Sequence, residues 1–458
     1  MQQVPLRGGR ESSPSEGVAE IARLNSATRN AVDVSMPAKS AARWDPSDLV
    51  RRVLIALDIA IRTIESLADV DSANVESATP TKRVEGFLDE KVVAETAMLL
   101  LCVEPIRSLD HRIREQFDVV AALLVPLARK TEVLAAICVD PGLASEHAVA
   151  HIILSRLGYR DRDVDRLLSE SLAMGADFGP ERFPHRRLEQ EWLDRVWTPG
   201  ELPRHRDSGL IAESMLGRQM DALGSNRFDV YAFTHAVMYA SDLGGRRIAL
   251  PRPSAVVAAS ADAALAYSLD TNDFDLAAEV ILTWPMLHLA WSPVATFGFG
   301  ILAGVEDNLG FLPGLPFDLE HYQGLTGDDR SRYAIVNSYH TSYIMGFLCA
   351  TALGPGCTPP AAVPPARRSR GAGAAILRLF KTDGRTSCWT EPFGALAPRQ
   401  QDSVAPLALA ALLRRAKTAG DLTLVREALE VALAHDLIDG PAPLQAAALL
   451  RRSQAMKL

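Results

Sequence analysis

Apolar residues recur at helical spacing along most of this chain, and this periodicity constrains the fold more than any other feature of the sequence. The first clear example runs from Leu49 to Leu67, where apolar side chains return every three or four residues. Alternating patterns typical of β-strands are nearly missing, as are Val, Ile and Thr runs bounded by turns. We therefore predict an all-α fold built as an array of paired antiparallel helices, either an α/α toroid or a short solenoid.

The predicted helices follow one another with short connections, as antiparallel pairs require. Two segments repeat the same spacing of Leu, Ala and a terminal Gly-Pro, one ending at Gly179-Pro180 and the other at Gly440-Pro441. The repeat agrees with an array of helical hairpins. The predicted helices are approximately 49–67, 84–107, 111–129, 131–139, 144–157, 161–175, 184–197, 208–223, 228–243, 254–269, 273–290, 294–309, 328–353, 372–381, 402–417, 421–435 and 441–456.

Composition divides the 458 residues into four parts. Residues 1–43 are rich in Ser, Gly, Pro and charge and are predicted to be a flexible tail. The main α-helical domain is predicted over 44–353. Prolines and glycines in 354–373 predict a linker or a surface loop, and residues 374–458 a C-terminal helical cap. The cluster Arg367, Arg368 and Arg370 in the linker could dock an anionic partner or simply be solvated.

Composition also excludes several classes of protein. Apolar residues make up 48 % of the chain, which excludes disorder throughout its length. The net charge of −8 argues against a nucleic-acid partner. The five cysteines form no CxxC pair, and residues 1–40 lack the apolar core of a signal peptide, so we expect a reducing, cytoplasmic location. There is no Walker loop, no GxGxxG after a strand and no GxSxG motif.

One uncharged stretch, residues 280–305, is long enough to span a bilayer. It contains Pro285, Pro293 and His288, however, and no Lys or Arg lies nearby to anchor it. Two short buried helices broken at the prolines explain the stretch more simply, so no membrane span is expected.

Residues 228–245 (FDVYAFTHAVMYASDLGG) are predicted to form a buried helix with a polar stripe. Tyr231, His235, Tyr239 and Asp242 fall three or four residues apart, which places them on one face. The opposite face is apolar too, so the stripe is expected to face a cavity or a polar network. Burying polar groups without partners costs free energy, and such positions are therefore informative.

A second stripe of the same kind lies in residues 332–354 (RYAIVNSYHTSYIMGFLCATALG). Tyr333, Asn337, His340 and Tyr343 share one face by the same count. Two such stripes predict that both helices line a common pocket. Each histidine could instead be satisfied by a backbone carbonyl or a tyrosine, without any catalytic role.

The pocket hypothesis gives each polar residue a role. His235 and His340 would carry protons, since imidazole titrates near neutrality. Asp242 would orient a histidine or hold a cationic group, and Tyr239 and Tyr343 would donate a proton or stabilise developing charge. The predicted substrate-binding residues are Tyr231, Tyr333, Asn337 and Glu95.

Two further candidates are open to alternatives. Glu95 interrupts an apolar run and either faces the same cavity or pairs with Lys91 one turn earlier. His147 and His151 stand at i, i+4, a spacing that can chelate a metal, and Glu146 precedes them. No third ligand is evident there, so we predict no metal site and leave the cofactor unknown.

Four segments resemble blocks of an uncharacterised family of helical bacterial proteins. They are THAVMYASDLG at 234–244, DLAAEVILTWPML at 275–287, GFLPG at 310–314 and YHTSYIMGFLCA at 339–350. The resemblance covers roughly residues 84–353 and implies a place near natural-product biosynthesis genes, but it identifies no catalytic residue.

Paired helices around a polar centre are also similar in fold to the α/α-toroid cyclases, which include terpenoid and lanthionine cyclases. The chain lacks the DxDD and DDxxD motifs and the Cys…Cys-His-Gly zinc set of those enzymes. Similarity of fold does not establish function.

The sequence favours a biosynthetic tailoring enzyme. Its central pocket would perform proton-transfer chemistry, such as cyclisation, elimination or isomerisation, on an apolar or peptide-like substrate. The alternative is a non-catalytic helical-repeat protein that binds a peptide or protein partner in a groove. A regulatory protein that binds a small ligand in the same pocket is a third hypothesis.

Overall fold

The computed structural model describes residues 45–76, 89–175, 179–198, 209–367, 371–380 and 387–456. All regular secondary structure in these ranges is helical, which confirms the predicted all-α class. The predicted tail, together with Arg368 and Arg370 of the basic cluster, lies outside the described residues.

The described residues before residue 220 form helices of very different lengths. Two 3₁₀ turns, Glu104–Ile106 and Pro141–Leu143, lie among them. The helices are α1 (Pro46–Glu76), α2 (Asp89–Val103), α3 (His111–Leu127), α4 (Thr131–Val139), α5 (Ala144–His147), α6 (Val149–Arg156), α7 (Arg162–Gly175), α8 (Pro184–Trp197) and α9 (Leu210–Glu213).

The remaining helices include α16, which is second in length only to α1 among the described helices. They are α10 (Arg227–Ala240), α11 (Ser254–Asp270), α12 (Phe274–Ile281), α13 (Thr283–Met286), α14 (Pro293–Leu309), α15 (Leu319–Gly324), α16 (Gly327–Ala352), α17 (Ala372–Phe380), α18 (Thr390–Ala395), α19 (Pro398–Ala419), α20 (Leu422–Ala434) and α21 (Pro441–Ala455).

Helix α16 occupies the centre of the packing and contacts α1, α2 and α12. Gly346 allows the close approach: a Cβ atom there would lie 2.5 Å from Cβ of Ala56 and 2.9 Å from Cδ1 of Leu99. Every residue of α16 from Thr341 to Ala350 is buried. A helix covered on all sides can hold polar residues only where neighbouring helices supply partners.

Helix α12 is the second buried element. It contacts α10, α11, α14 and α16, and all of its residues are buried. The Asp273 carboxylate accepts a hydrogen bond from the backbone N–H of Leu276, and this N-cap determines where the helix begins. Helix α8 packs on the outer side of α10, and the C-terminal helices join the rest through contacts of α19 with α11.

A buried ion pair joins α1 to α14, two helices that are far apart in the sequence. Arg52 of α1 is 1 % exposed, and its Nη1 lies 2.5 Å from Oε2 of Glu306 in α14. Asp48 and Asp307 complete the network around the guanidinium. Such a network orients the two helices because either partner alone would be a buried, uncompensated charge.

Distant parts of the chain pack together, since α16 contacts α1 and α2. In a solenoid each repeat contacts only its neighbours. The described helices do not establish either the toroid or the solenoid that the pairing predicted.

The uncharged stretch 280–305 is broken as predicted near its prolines. It comprises the end of α12, the short α13 and the first part of α14, which begins at Pro293. None of the described helices combines the length and apolar composition that crossing a bilayer requires.

Candidate functional site

Helix α12 presents two carboxyl groups on one face, at Asp275 and Glu279, one helical turn apart. Their residues are only 3 % and 2 % exposed. Ionisable side chains of α2, α10 and α16 meet them there. We call this group the acid–histidine cluster; its members are Glu95, His235, Asp275, Glu279 and His340.

Asp275 lies at the centre of the cluster. Its Oδ2 accepts a hydrogen bond of 2.5 Å from the Tyr231 hydroxyl and one of 3.1 Å from Nη2 of Arg227. Its Oδ1 lies 3.2 Å from Nε2 of His340. Oδ2 therefore contacts side chains of α10, whereas Oδ1 faces α16.

His340 stands between two carboxylates. Its Nδ1 lies 2.9 Å from Oε2 of Glu95 in α2, while its Nε2 faces Asp275. Glu95 also pairs with Lys91 at 3.5 Å, which is one of the two alternatives predicted for it. These ion-pair contacts are close but are not aligned as hydrogen bonds, and three atoms have no hydrogen-bond partner: Oε2 of Glu95, Nδ1 of His340 and Oδ1 of Asp275.

Glu279 connects the second histidine to the cluster. Its Oε2 accepts a 2.6 Å hydrogen bond from the hydroxyl of Thr234, and its Oε1 lies 3.9 Å from Nε2 of His235. The His235 ring is surrounded by aromatic rings, with centroids of Tyr231 and Tyr239 at 5.7 Å and His185 at 6.1 Å. Helix α12 thus links the two predicted histidines.

Burial and charge set the protonation of the cluster. Burial, reinforced by the charge of Asp275, raises the pKa of Glu279 to about 8. Burial disfavours the imidazolium of His340, but Asp275 and Glu95 outweigh this effect and raise its pKa to about 9. Burial likewise disfavours ionised Asp275, yet His340 and the Tyr231 hydrogen bond hold its pKa below the usual value. Burial and nearby Arg186 lower the pKa of His235 to about 3.

Near neutral pH the cluster therefore contains one ionised and one protonated carboxyl on the same helix, and one charged and one neutral imidazole. Environments that push the pKa values of paired groups apart are typical of acid–base sites. Structural ion-pair networks also shift pKa values, so the shifts alone do not assign a reaction.

Of the predicted site residues, Tyr231, His235 and His340 meet at α12. Glu95 joins them through its contact with His340. Tyr239 lies beside His235, and its hydroxyl donates a 2.9 Å hydrogen bond to Glu189 of α8. Its position supports the histidine through ring contact.

The other predicted residues have partners elsewhere. The Asp242 carboxylate accepts a 2.7 Å hydrogen bond from the Trp192 indole, and the Tyr343 hydroxyl lies 3.2 Å from Oγ1 of Thr96. The Tyr333 hydroxyl accepts a 2.8 Å hydrogen bond from the backbone N–H of Asp318. Asn337 donates to the Tyr333 carbonyl, so it bonds within its own helix.

Sequence reasoning missed the two acids that unite the site. Asp275 and Glu279 follow the capping residue Asp273 and belong to neither of the two polar stripes. The signal was their i, i+4 spacing at the start of an otherwise apolar run, DLAAEVILTWP. Arg227 and Thr234 were missed because neither belongs to the polar stripe that spacing indicated on this helix.

A metal could be held at this site. Asp275, Glu279 and His340 each offer a ligand atom, and these atoms lie within 4.8 Å of one another. The spacing at His147 and His151 has no such geometry. Glu146 binds Arg182, and Nε2 of His151 lies 3.0 Å from Asp165.

A separate cavity of about 540 Å³ lies between α1 and the first turns of α16. Its walls include Ile55, Phe311 and Ile335, with Arg62 and Arg330 among the polar side chains. None of the predicted site residues lines it. This cavity therefore does not correspond to the common pocket predicted between His235 and His340, whose side chains are both 24 % exposed.

Comparison with known families places the cluster inside one matched domain. A family model described as a domain of unknown function, DUF6895, matches residues 64–350, which is more than half of the chain. The chain belongs to the DUF6895 family. The matched range includes every member of the cluster and resembles the range of roughly 84–353 predicted from the four segments. No curated protein and no solved structure matches this DUF6895 protein.

Proposed function

We propose that this DUF6895 protein is a biosynthetic tailoring enzyme that uses the acid–histidine cluster to move protons on a small, partly apolar or peptide-like substrate. Cyclisation, elimination and isomerisation are reactions of this class. The observation that carries the proposal is the convergence of ionisable side chains from α2, α10, α12 and α16 within an apolar interior.

Stability alone gives little reason for such a cluster. Removing a charged group from water costs several kcal/mol. Well-packed apolar side chains of similar volume at the same positions would not carry this cost. Asp275 and Glu279 are nevertheless placed together among buried residues of α12. Groups arranged at this cost are typical of functional sites.

The geometry supplies proton donors and acceptors in contact with one another. His340 lies between Asp275 and Glu95, and His235 faces Glu279. Both imidazoles remain 24 % exposed, so a substrate can reach them. General acid–base catalysis requires this combination of reach and proton-carrying groups.

The surroundings of His235 favour an apolar or aromatic part of the substrate. The rings of Tyr231, Tyr239 and His185 enclose it, and Phe183, which is 75 % exposed, stacks on His185. Aromatic side chains combine a large apolar surface with polar edges, which suits a substrate of mixed character.

The test is an untargeted metabolite comparison in the native host. A deletion strain is complemented with the wild type, with His340→Gln or with His235→Gln. We expect a metabolite that the wild type restores and that each variant fails to restore, with a loss of on the order of 100-fold or more because a proton carrier has been removed.

His111→Gln is the matched control, since this histidine is 69 % exposed in its side chain and lies outside the cluster. It should restore the metabolite fully, and circular dichroism should show that all three variants fold. Restoration by both cluster variants, or identical metabolites with and without the gene, would overturn the proposal and favour a non-catalytic binding role.

A further inference from the structure

The geometry points to a binding site for one divalent first-row transition-metal ion, held by Asp275, Glu279 and His340. The inference concerns the cluster on which the proposed enzyme depends, and it would make that chemistry metal-assisted. Ion binding and turnover are separate measurements, so either statement can fail alone.

The three ligand atoms are already close together, within 4.8 Å of one another. Ligands bound at about 2.0–2.2 Å from a common ion lie about 3–4 Å apart, so small side-chain rotations suffice. Asp275 and Glu279 come from one turn of α12, and His340 comes from the facing helix α16. Two rigid helices hold the set.

Each ligand also has a polar partner from another side chain. Tyr231 donates to Oδ2 of Asp275, and Thr234 donates to Oε2 of Glu279. Glu95 lies 2.9 Å from Nδ1 of His340, which leaves Nε2 directed toward Asp275. A carboxylate behind a ligating histidine, with hydrogen bonds to the ligating carboxylates, is the outer arrangement that orients metal ligands.

An independent observation concerns the hydrogen bonding of Oδ1 of Asp275. The Asp275 side chain is 5 % exposed, yet its Oδ1 has no hydrogen-bond partner. Buried polar atoms are nearly always paired, since an unpaired one costs about 1–3 kcal/mol. A cation bound at Oδ1 would supply the partner.

Metal ligation requires that Glu279 and His340 are both deprotonated, and in that state the charges that meet here are unequal. Four carboxyl groups face two permanent cations, Arg227 and Lys91. The carboxyl groups belong to Glu95, Asp273, Asp275 and Glu279. A dication offsets an excess of two negative charges, which a neutral ligand cannot do.

Two carboxylates and one imidazole suit Zn²⁺, Mn²⁺ or Fe²⁺, whereas Ca²⁺ and Mg²⁺ prefer oxygen ligands alone. Three protein ligands leave coordination positions for water or substrate. The same three side chains could also bind the ammonium group of a substrate. The experiment distinguishes a metal ion from such a group because it uses the metal alone.

The experiment titrates the full-length, chelator-treated protein with Zn²⁺ by calorimetry and with Co²⁺ by visible absorption. The titration is done at about pH 8, because the ligands must release protons when they bind the ion and lower pH opposes this. We expect one ion per chain and a rise in the melting temperature on addition of Zn²⁺. Asp275→Asn and His340→Gln should each weaken binding at least about 10-fold, and Glu95→Gln about 10- to 100-fold.

Glu146→Gln serves as the control, since its side chain is 42 % exposed and stands beside the histidine pair at 147 and 151. It should bind the ion as the wild type does. Should the substituted chains fail to fold, the melting shift of the wild type still decides. The inference is wrong if the wild type binds no ion, or binds it no more tightly than His340→Gln. If the protein binds the ion but the metabolite comparison shows no difference between deletion and wild-type strains, the metal site is supported and the proposed enzyme is contradicted.

Discussion

Asp262 and Asp275 carry the same carboxyl group, yet burial raises the pKa of Asp262 to about 7 while the pKa of Asp275 is lowered. Asp275 faces His340 and Arg227, whose positive charges outweigh the cost of burial. Asp262 accepts a 2.6 Å hydrogen bond from Ser292, a neutral partner that offsets only part of that cost. At the scale of residues, neighbouring charge decides protonation.

Asp262 gives a pH dependence with a definite sign. Between its usual pKa of 3.8 and the folded value of about 7, the folded state holds a proton that the unfolded state has released. The free energy of unfolding therefore falls as pH rises through this range. Asp262→Asn removes the effect, so urea unfolding should show a smaller fall between about pH 5 and 7, by on the order of 1–2 kcal/mol.

Asp58→Asn is the control for this measurement, because Asp58 is 44 % exposed and pairs only with a surface arginine among the described contacts. It should keep the wild-type slope. Equal slopes for Asp262→Asn and the wild type would contradict the raised pKa.

The two histidine stripes show how far residue-level inference reaches. Their positions on buried helices followed from helical spacing, and Tyr231, His235 and His340 do meet one neighbouring helix. Asp242 and Tyr333 shared the same stripes but bond to Trp192 and to the backbone of Asp318. Spacing defines a face, but a face of a long helix touches several different neighbours along its length.

At the scale of elements, glycines inside two helices differ in whether packing requires them. Gly346 in α16 faces Ala56 and Leu99 at distances too short for any side chain. Gly304 in α14 has nothing within 4 Å of the position that a Cβ would take. Glycine costs a helix about 1 kcal/mol relative to alanine, so only packing explains its use at position 346.

Paired substitutions test this difference between elements. Gly346→Ala gains helix propensity, but its Cβ would lie 2.5 Å from that of Ala56, so α1 or α16 must shift. Overpacking costs about 1–3 kcal/mol, and we expect a net loss of about 1–2 kcal/mol in the free energy of unfolding. Gly304→Ala should instead gain about 0.5–1 kcal/mol.

Thermal and urea unfolding of the two variants measure these changes. A stabilised Gly346→Ala protein would show that α16 does not pack as closely on α1 and α2 as the distances indicate.

At the scale of the molecule, contacts between distant helices hold the fold together. The pair of Arg52 in α1 and Glu306 in α14 joins segments far apart in sequence, and both side chains are 1 % exposed. Breaking a buried ion pair from one side leaves an uncompensated charge, whereas removing both charges is far less costly. The network therefore specifies how the helices are arranged more than it stabilises them.

A double-mutant cycle checks this role. Arg52→Met should lower the free energy of unfolding by about 3–5 kcal/mol, because Glu306 is left buried without its partner. Adding Glu306→Gln should recover part of that loss, since the remaining carboxylates of Asp48 and Asp307 are 22 % and 39 % exposed. Equal and additive losses in a urea-unfolding cycle would show that the two residues are not coupled.

The sequence by itself determined the all-α class, the course of most helices and the faces that carry polar residues, because helical periodicity is a local property of the chain. Only the tertiary structure decided which faces meet. It brought Glu95, from the second helix, to His340, and it placed Asp275 and Glu279 between two histidine-bearing helices. Such contacts depend on packing between segments that no local pattern relates, and so does the balance of buried charge that makes this cluster a candidate site.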